Sequence, residues 1–273
     1  MANARRKALI FPREHGAWGI LLIPLVSGGA VGVLAGGQLL PLAPLTAAAL
    51  ALFWLRTPVE SWSGTGPMRA CTPAEKRLVR TTALALIAAG SRALLWLFWG
   101  SRGANLLWIG AAAAASFLGQ AALKKLSRRF RTAAQMVGAI GLTATAPAAY
   151  AAATGHLNEV SWSLWAANLL FALNQIHFVH LLIHIARPAT CREKLRQGKA
   201  FLAAQTVLLV AVALAAGLHM FRWYAAAAFL PALIRGFAWF ARPSAALAVR
   251  SLGWSELGLS TGFGALLITG LLH

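Results

Sequence analysis

The chain has 273 residues, of which 59% are hydrophobic and 11% charged, with a mean hydropathy of +0.67. That apolar content is too high for a water-soluble domain of this length, so lipid is the expected solvent. The net charge of +19 does not point to nucleic acid, because the 25 basic residues form short clusters between apolar stretches instead of a continuous stripe.

The N-terminal residues 1–17 read as a retained cytoplasmic leader, followed by a single transmembrane helical domain over 18–273. Arg5, Arg6 and Lys7 precede an apolar run, but Pro12, Arg13, Glu14 and His15 interrupt it and no small-residue cleavage site follows closely. The first apolar window, 18–36, carries Gly28, Gly29, Gly32 and Gly36, which allow close helix approach. The second, 39–56, runs out at Arg56 and Glu60 into a turn-rich loop over 57–80 with Pro58, Gly64, Gly66, Pro67 and Pro73. The third, 81–99, contains Arg92 well inside it, and Trp96 and Trp99 near its end. Windows at 104–122, 132–153, 162–184, 200–218, 222–241 and 254–272 follow, with Arg235 inside the eighth and Glu256 opening the ninth. Each is close to the length that crosses a hydrocarbon core of about 30 Å as a helix. The expected fold is therefore an all-α polytopic membrane bundle of about nine transmembrane helices.

The loops alternate in charge. Twenty-one of the basic residues fall in the leader and in the loops that share its side, and only Arg102 and Arg222 fall in the loops opposite. By the positive-inside rule the N-terminus lies in the cytoplasm and the C-terminus outside. Cys71 and Cys191 then sit in cytoplasmic loops without paired metal-ligand spacing, and read as structurally neutral.

Ionisable side chains inside a bilayer are costly, so each nominates a site. The sixth window places His177, His180 and His184 at offsets of three and seven on one helical face, with Asn174 one turn earlier. Three imidazoles on one face suit a metal, a proton relay or, as cations, an anionic headgroup. The bland alternative is that they hydrogen-bond neighbouring helices and water. A metal site needs ligands from a second helix, and His15 is the one plausible further partner; haem ligation by one His is open, but no spacing selects it. The chain holds no Asp and six Glu, which leaves no carboxylate cage for Mg²⁺, and no metal ligands are assigned. Arg13, Glu14, His15, Arg56, Glu60, Arg187, Arg235 and Glu256 all project to the same side as the histidines. Together they predict a cation-lined cavity, open to the cytoplasm, that holds a phosphate, diphosphate or carboxylate. Taken singly, many of these charges fit the ordinary headgroup region equally well.

The segment Phe11-Pro12-Arg13-Glu14-His15-Gly16-Ala17-Trp18-Gly19, followed by a helix with Pro24, resembles the opening signature of the YwiC-like family of bacterial membrane proteins. The late Leu252-Gly253-Trp254-Ser255-Glu256-Leu257-Gly258 segment extends that resemblance, which implies a site around Pro12 to Trp18 without naming a reaction or substrate. The nine-span layout also resembles UbiA-type prenyltransferases, whose Asp-rich motifs at the ends of spans two and six hold Mg²⁺ and an isoprenoid diphosphate. Here His177, His180 and His184 stand at the spacing of the second motif, and Arg56 and Glu60 at the position of the first. Without Asp, metal-dependent prenyl transfer is not expected. The expected function is binding of an anionic amphiphile, a prenyl or lipid phosphate, with a divergent transferase activity left open. The alternatives are a transporter or channel for protons or small anions, and an accessory subunit with a His-ligated metal or haem.

Overall fold

The computed structural model describes residues 2–12, 15–99, 103–185, 190–218, 222–241 and 249–272. Of the residues nominated above, Arg13, Glu14 and Arg187 lie outside that set, as does the His15 side chain.

Every regular element among the described residues is helical, as lipid requires of a backbone that must satisfy its own hydrogen bonds. In chain order these are α1 (Ala2–Ile10), α2 (His15–Leu34), α3 (Leu42–Ser63), α4 (Pro73–Trp99), α5 (Gly103–Leu126), α6 (Arg131–Thr143) and α7 (Thr145–Thr154). They continue with α8 (Glu159–His184), α9 (Cys191–Gln197), α10 (Lys199–Gly217), α11 (Trp223–Ala227), α12 (Leu230–Ala241) and α13 (Val249–Leu272). Nine segments among the described residues are long and apolar enough to cross a membrane. The chain is a multi-pass membrane protein.

Two of the nine are broken. The fifth, Arg131–Thr154, is α6 and α7 joined at Ala144, and the eighth, Trp223–Ala241, is α11 and α12 joined over Ala228 and Phe229. In each, a proline, Pro147 or Pro231, sits in the first turn after the break, where its missing N–H costs nothing.

Helix α2 is the central element, packing against α7, α13, α8 and α6. Its glycines make this possible: a Cβ on Gly28 would fall on the Ala146 carbonyl, and one on Gly32 would lie 2.9 Å from the Ala153 methyl. Beside it Phe171 and Phe263 stack with centroids 4.0 Å apart, and Phe229 meets Phe263 edge-on at 5.2 Å. By contrast α4 stands at the periphery, only 11% of its apolar window buried, with Leu84, Ile87, Leu95 and Trp96 exposed as lipid-facing residues are. Arg92 is exposed on that same helix.

Two short helices, α1 and α9, lie at the basic end. Helix α1 is tied down by Trp54 Nε1 donating to the Ile10 carbonyl at 2.5 Å, Ser61 Oγ to the Leu9 carbonyl at 2.9 Å, and an Arg5–Glu75 ion pair at 2.6 Å. Helix α9 begins with a capping box, Thr190 Oγ1 accepting from the Glu193 N–H while Glu193 accepts from the Thr190 N–H. It docks through Lys194, whose ammonium donates to the Trp239 carbonyl at 2.7 Å and lies 4.2 Å from the Trp239 ring centroid.

Candidate functional site

A cavity of about 470 Å³ opens between α2, α3, α5, α6, α8 and α13. Its wall on α8 is made by Asn168, Phe171, Ala172, Gln175, Ile176, Val179, His180 and Ile183, whose spacings alternate between three and one, so that residues three and four apart share one face of the helix. At 1.5 Å per residue, the fifteen steps from Asn168 to Ile183 extend about 22 Å along the helix axis. The cavity is thus elongated and reaches from the basic end far into the membrane-spanning region. Its other walls come from the first turns of α2 (Gly16 to Pro24), from one face of α6 (Arg131, Gln135, Gly138, Ala139, Leu142), and from Arg56, Gln120, Glu256 and Ser260. Glycine at positions 16, 19 and 138 keeps side chains out of this space.

The polar groups form three layers. At the mouth, the His180 imidazole Nε2 hydrogen-bonds Gln135 Oε1, and exposed Arg131 opens α6 one turn before Gln135. Arg56 lines the same end and donates through Nε to Glu60 at 3.0 Å, a carboxylate that also pairs with Lys124 at 2.8 Å. In the middle layer Glu256 faces the cavity and pairs with Arg235, which also donates to Gln175 Oε1 and lies 4.2 Å from the Phe178 ring centroid. At the floor, Asn168 Nδ2 donates to Ser27 Oγ at 3.2 Å and to the Leu164 carbonyl at 2.8 Å. Between the layers the lining is apolar: Ile20, Ile23, Leu142, Phe171, Ile176 and Val179.

Around the upper half stand four cations, Arg56, Lys124, Arg131 and Arg235, against two carboxylates, Glu60 and Glu256. With histidine neutral, the excess is positive. In a water-poor wall such an excess favours an anion, and guanidinium groups present paired donors to phosphate or carboxylate oxygens.

The nominated residues divide accordingly. Arg56, His180 and Glu256 line the cavity; Glu60 and Arg235 stand behind it as the ion-pair partners of Arg56 and Glu256. The histidine face is split. His177 is half-buried with its ring edge-on to Phe201, 5.3 Å between centroids, and His184 is exposed. The helical geometry explains this: the histidines share one sector of α8, but the cavity face is centred about a third of a turn away, so only its nearest member reaches the edge. Asn174 is buried on the side of α8 turned away from the cavity, and its neighbour Gln175 takes the place in the wall. Among the described residues no three His, Cys or Glu side chains gather as metal ligands would.

Sequence reasoning did not find Arg131, Gln135, Gln120, Gln175, Asn168 or Ser260. The signal was present for Asn168 and Gln175, neutral polar residues well inside the sixth apolar window. Arg131 was indistinguishable from the four other basic residues of its loop, which all contribute to topology.

The family model for YwiC-like proteins matches residues 11–150, which includes α2, α3, α6 and the α6 wall of the cavity. Comparison with curated proteins returns no match.

Proposed function

We propose a function for this chain, which belongs to the YwiC-like protein family: it binds an anionic amphiphile, a prenyl or lipid phosphate, in the cavity between α2, α6, α8 and α13. The observation that carries this reading is the distribution of polarity along one continuous cavity. Arg56, Arg131 and His180 stand at its mouth, and an apolar wall follows beneath them. A soluble anion has no use for the lower walls, and a purely apolar lipid has no use for the mouth; an amphiphile matches both. By the charge asymmetry of the loops, the mouth opens to the cytoplasmic leaflet of a bacterial inner membrane.

Arg56 and His180 come from the span-two and span-six positions that hold acidic motifs in UbiA-type enzymes, and their sharing of one cavity supports a divergent UbiA-like arrangement. In that arrangement the Arg56 and Arg131 guanidinium groups meet the phosphate directly and supply the positive charge that Asp-bound Mg²⁺ brings elsewhere, with the His180 imidazole beside them as a hydrogen-bonding group. Binding, with or without a reaction, is the step these residues support.

The test is binding of farnesyl phosphate and of dioleoyl phosphatidate to the purified protein in dodecyl maltoside, followed by native mass spectrometry. Arg131→Gln, which removes a charged donor at the mouth, is expected to weaken binding about tenfold or more. His180→Ala and Arg56→Gln should weaken it less, and His184→Ala, on an exposed residue outside the wall, should leave it unchanged. Affinities that do not move with Arg56, Arg131 and His180 would remove the site.

A further inference from the structure

The α5 wall of the cavity carries an amide that no other group of the protein engages. Gln120 is 5% exposed and lines the cavity, and neither end of its amide has a hydrogen-bond partner among the described residues. The partnerless side-chain atoms that are sealed away entirely are Gln175 Nε2, Gln205 Oε1 and Arg235 Nε. The Gln120 oxygen and nitrogen are not among these; both keep accessible surface, and the space beside them is the cavity.

Two sets of contacts fix where this amide stands. A Cβ on Gly138 would lie 2.6, 2.7 and 2.8 Å from the amide nitrogen, carbon and oxygen, so the group lies flat over the Gly138 backbone, where a side chain of α6 would otherwise begin. One turn earlier on α5, Ser116 Oγ donates to the Val137 carbonyl and accepts from the Gly141 N–H at 3.0 Å, which locks α5 against α6 around that place. Gly138 is three residues along α6 from Gln135, the partner of His180, and seven from Arg131, hence about 4–5 Å and 10–11 Å deeper along the axis. The Gln120 amide therefore stands just beneath the anion-binding mouth.

A buried amide open at both ends needs a partner that accepts at the NH₂ group and donates to the oxygen, because leaving either unpaired in a water-poor wall is costly. A phosphate held by Arg56, Arg131 and His180 brings the next atoms of its ligand beside Gln120. In a prenyl phosphate those atoms are hydrocarbon, which satisfies neither end. In a diacylglycerol phosphate they belong to esters, which only accept. In a monoacylglycerol phosphate the second carbon below the phosphate carries a hydroxyl, which both accepts and donates and so matches both ends. We infer that the cavity takes a lipid phosphate with a free hydroxyl beside its phosphoester, of the monoacylglycerol phosphate class, and that Gln120 binds that hydroxyl. This rests on the amphiphile-binding reading above and narrows it to one ligand class, with Gln120 as the residue that sets the specificity.

The experiment titrates delipidated protein in dodecyl maltoside with four probes, read by native mass spectrometry: oleoyl lysophosphatidate, its deoxy analogue oleoyloxypropyl phosphate, dioleoyl phosphatidate and farnesyl phosphate. The first two differ by the hydroxyl alone. The hydroxyl lipid is expected to bind about tenfold tighter than the deoxy analogue, and tighter than the other two probes. In Gln120→Met, which keeps the side-chain length and removes both polar ends, that ratio should fall to about one. The wild-type comparison needs no substitution, so it stands even where the variant fails to fold. Equal wild-type affinities for the hydroxyl and deoxy lipids, tighter binding of phosphatidate or farnesyl phosphate, or a ratio preserved in Gln120→Met would overturn the inference while leaving amphiphile binding intact. Failure of all four probes to bind would overturn both.

Discussion

At the scale of single residues, the partly buried charges decide local stability. Glu60 accepts from Arg56 and Lys124 at once, joining α3 to α5 with all three side chains less than a fifth exposed. Removing the carboxylate leaves two cations facing each other in a poorly hydrated place. Glu60→Gln is expected to lower stability by about 2 kcal/mol, less than for a fully buried pair because the cluster keeps some solvent. A denaturation midpoint in detergent measures it. Lys194 offers a second case, outside the membrane-spanning segments. Burial pushes its ammonium below the ordinary lysine range, with Cys191 opposing weakly. Since the folded value lies below the unfolded one, the unfolded chain binds more protons between the two. Stability therefore rises with pH through that window, toward about 10.5. Comparing melting of the wild type with Lys194→Met from pH 8 upward should show this extra rise in the wild type alone.

At the scale of elements, helix lengths were legible and helix interruptions were not. The window at 132–153 matches the fifth segment, Arg131–Thr154, almost residue for residue. Its break at Ala144 lies three residues before Pro147, and nothing in hydropathy marks a break that changes no residue's polarity. The glycines of the first span were legible as packing residues, and the structure supplies their partner, α7. Because a Cβ on Gly28 falls on the Ala146 carbonyl and the obstacle is backbone, it cannot swing aside. Gly28→Ala should cost about 1–3 kcal/mol, whereas Gly262→Ala, with open space around its Cβ position, should be close to neutral. Equal melting of the two variants would contradict the α2–α7 packing. The α8 histidines were legible as one face of one helix, and so they are; which way that face turns was not.

At the scale of the whole molecule, the separation of charge sets the orientation. If the basic loops face the cytoplasm, a cysteine replacing exposed His156, in the loop between α7 and α8, reacts with a membrane-impermeant maleimide in intact cells. Cys71, exposed at the basic end, then reacts only after permeabilisation. The opposite labelling pattern would invert the bundle and turn the cavity mouth outward.

What the amino-acid sequence determined by itself is what lipid imposes on each helix separately. An apolar run of sufficient length must cross and must be helical, and clusters of Lys and Arg must stay on one side; neither demand involves a neighbouring helix. The nine spans and the end at which the unusual charges gather follow from this. The tertiary structure decided how each helix is rotated about its own axis. Hydropathy along a span is nearly blind to rotation here, because lipid-facing and bundle-facing sides are equally apolar. The rotation of α8 comes instead from close packing: Phe171 stacking on Phe263, and Asn168 reaching Ser27 on α2. That rotation admits His180 to the cavity and leaves His177 against Phe201. It also gives the wall to Gln175 in place of Asn174, because one residue along a helix is about 100° around it.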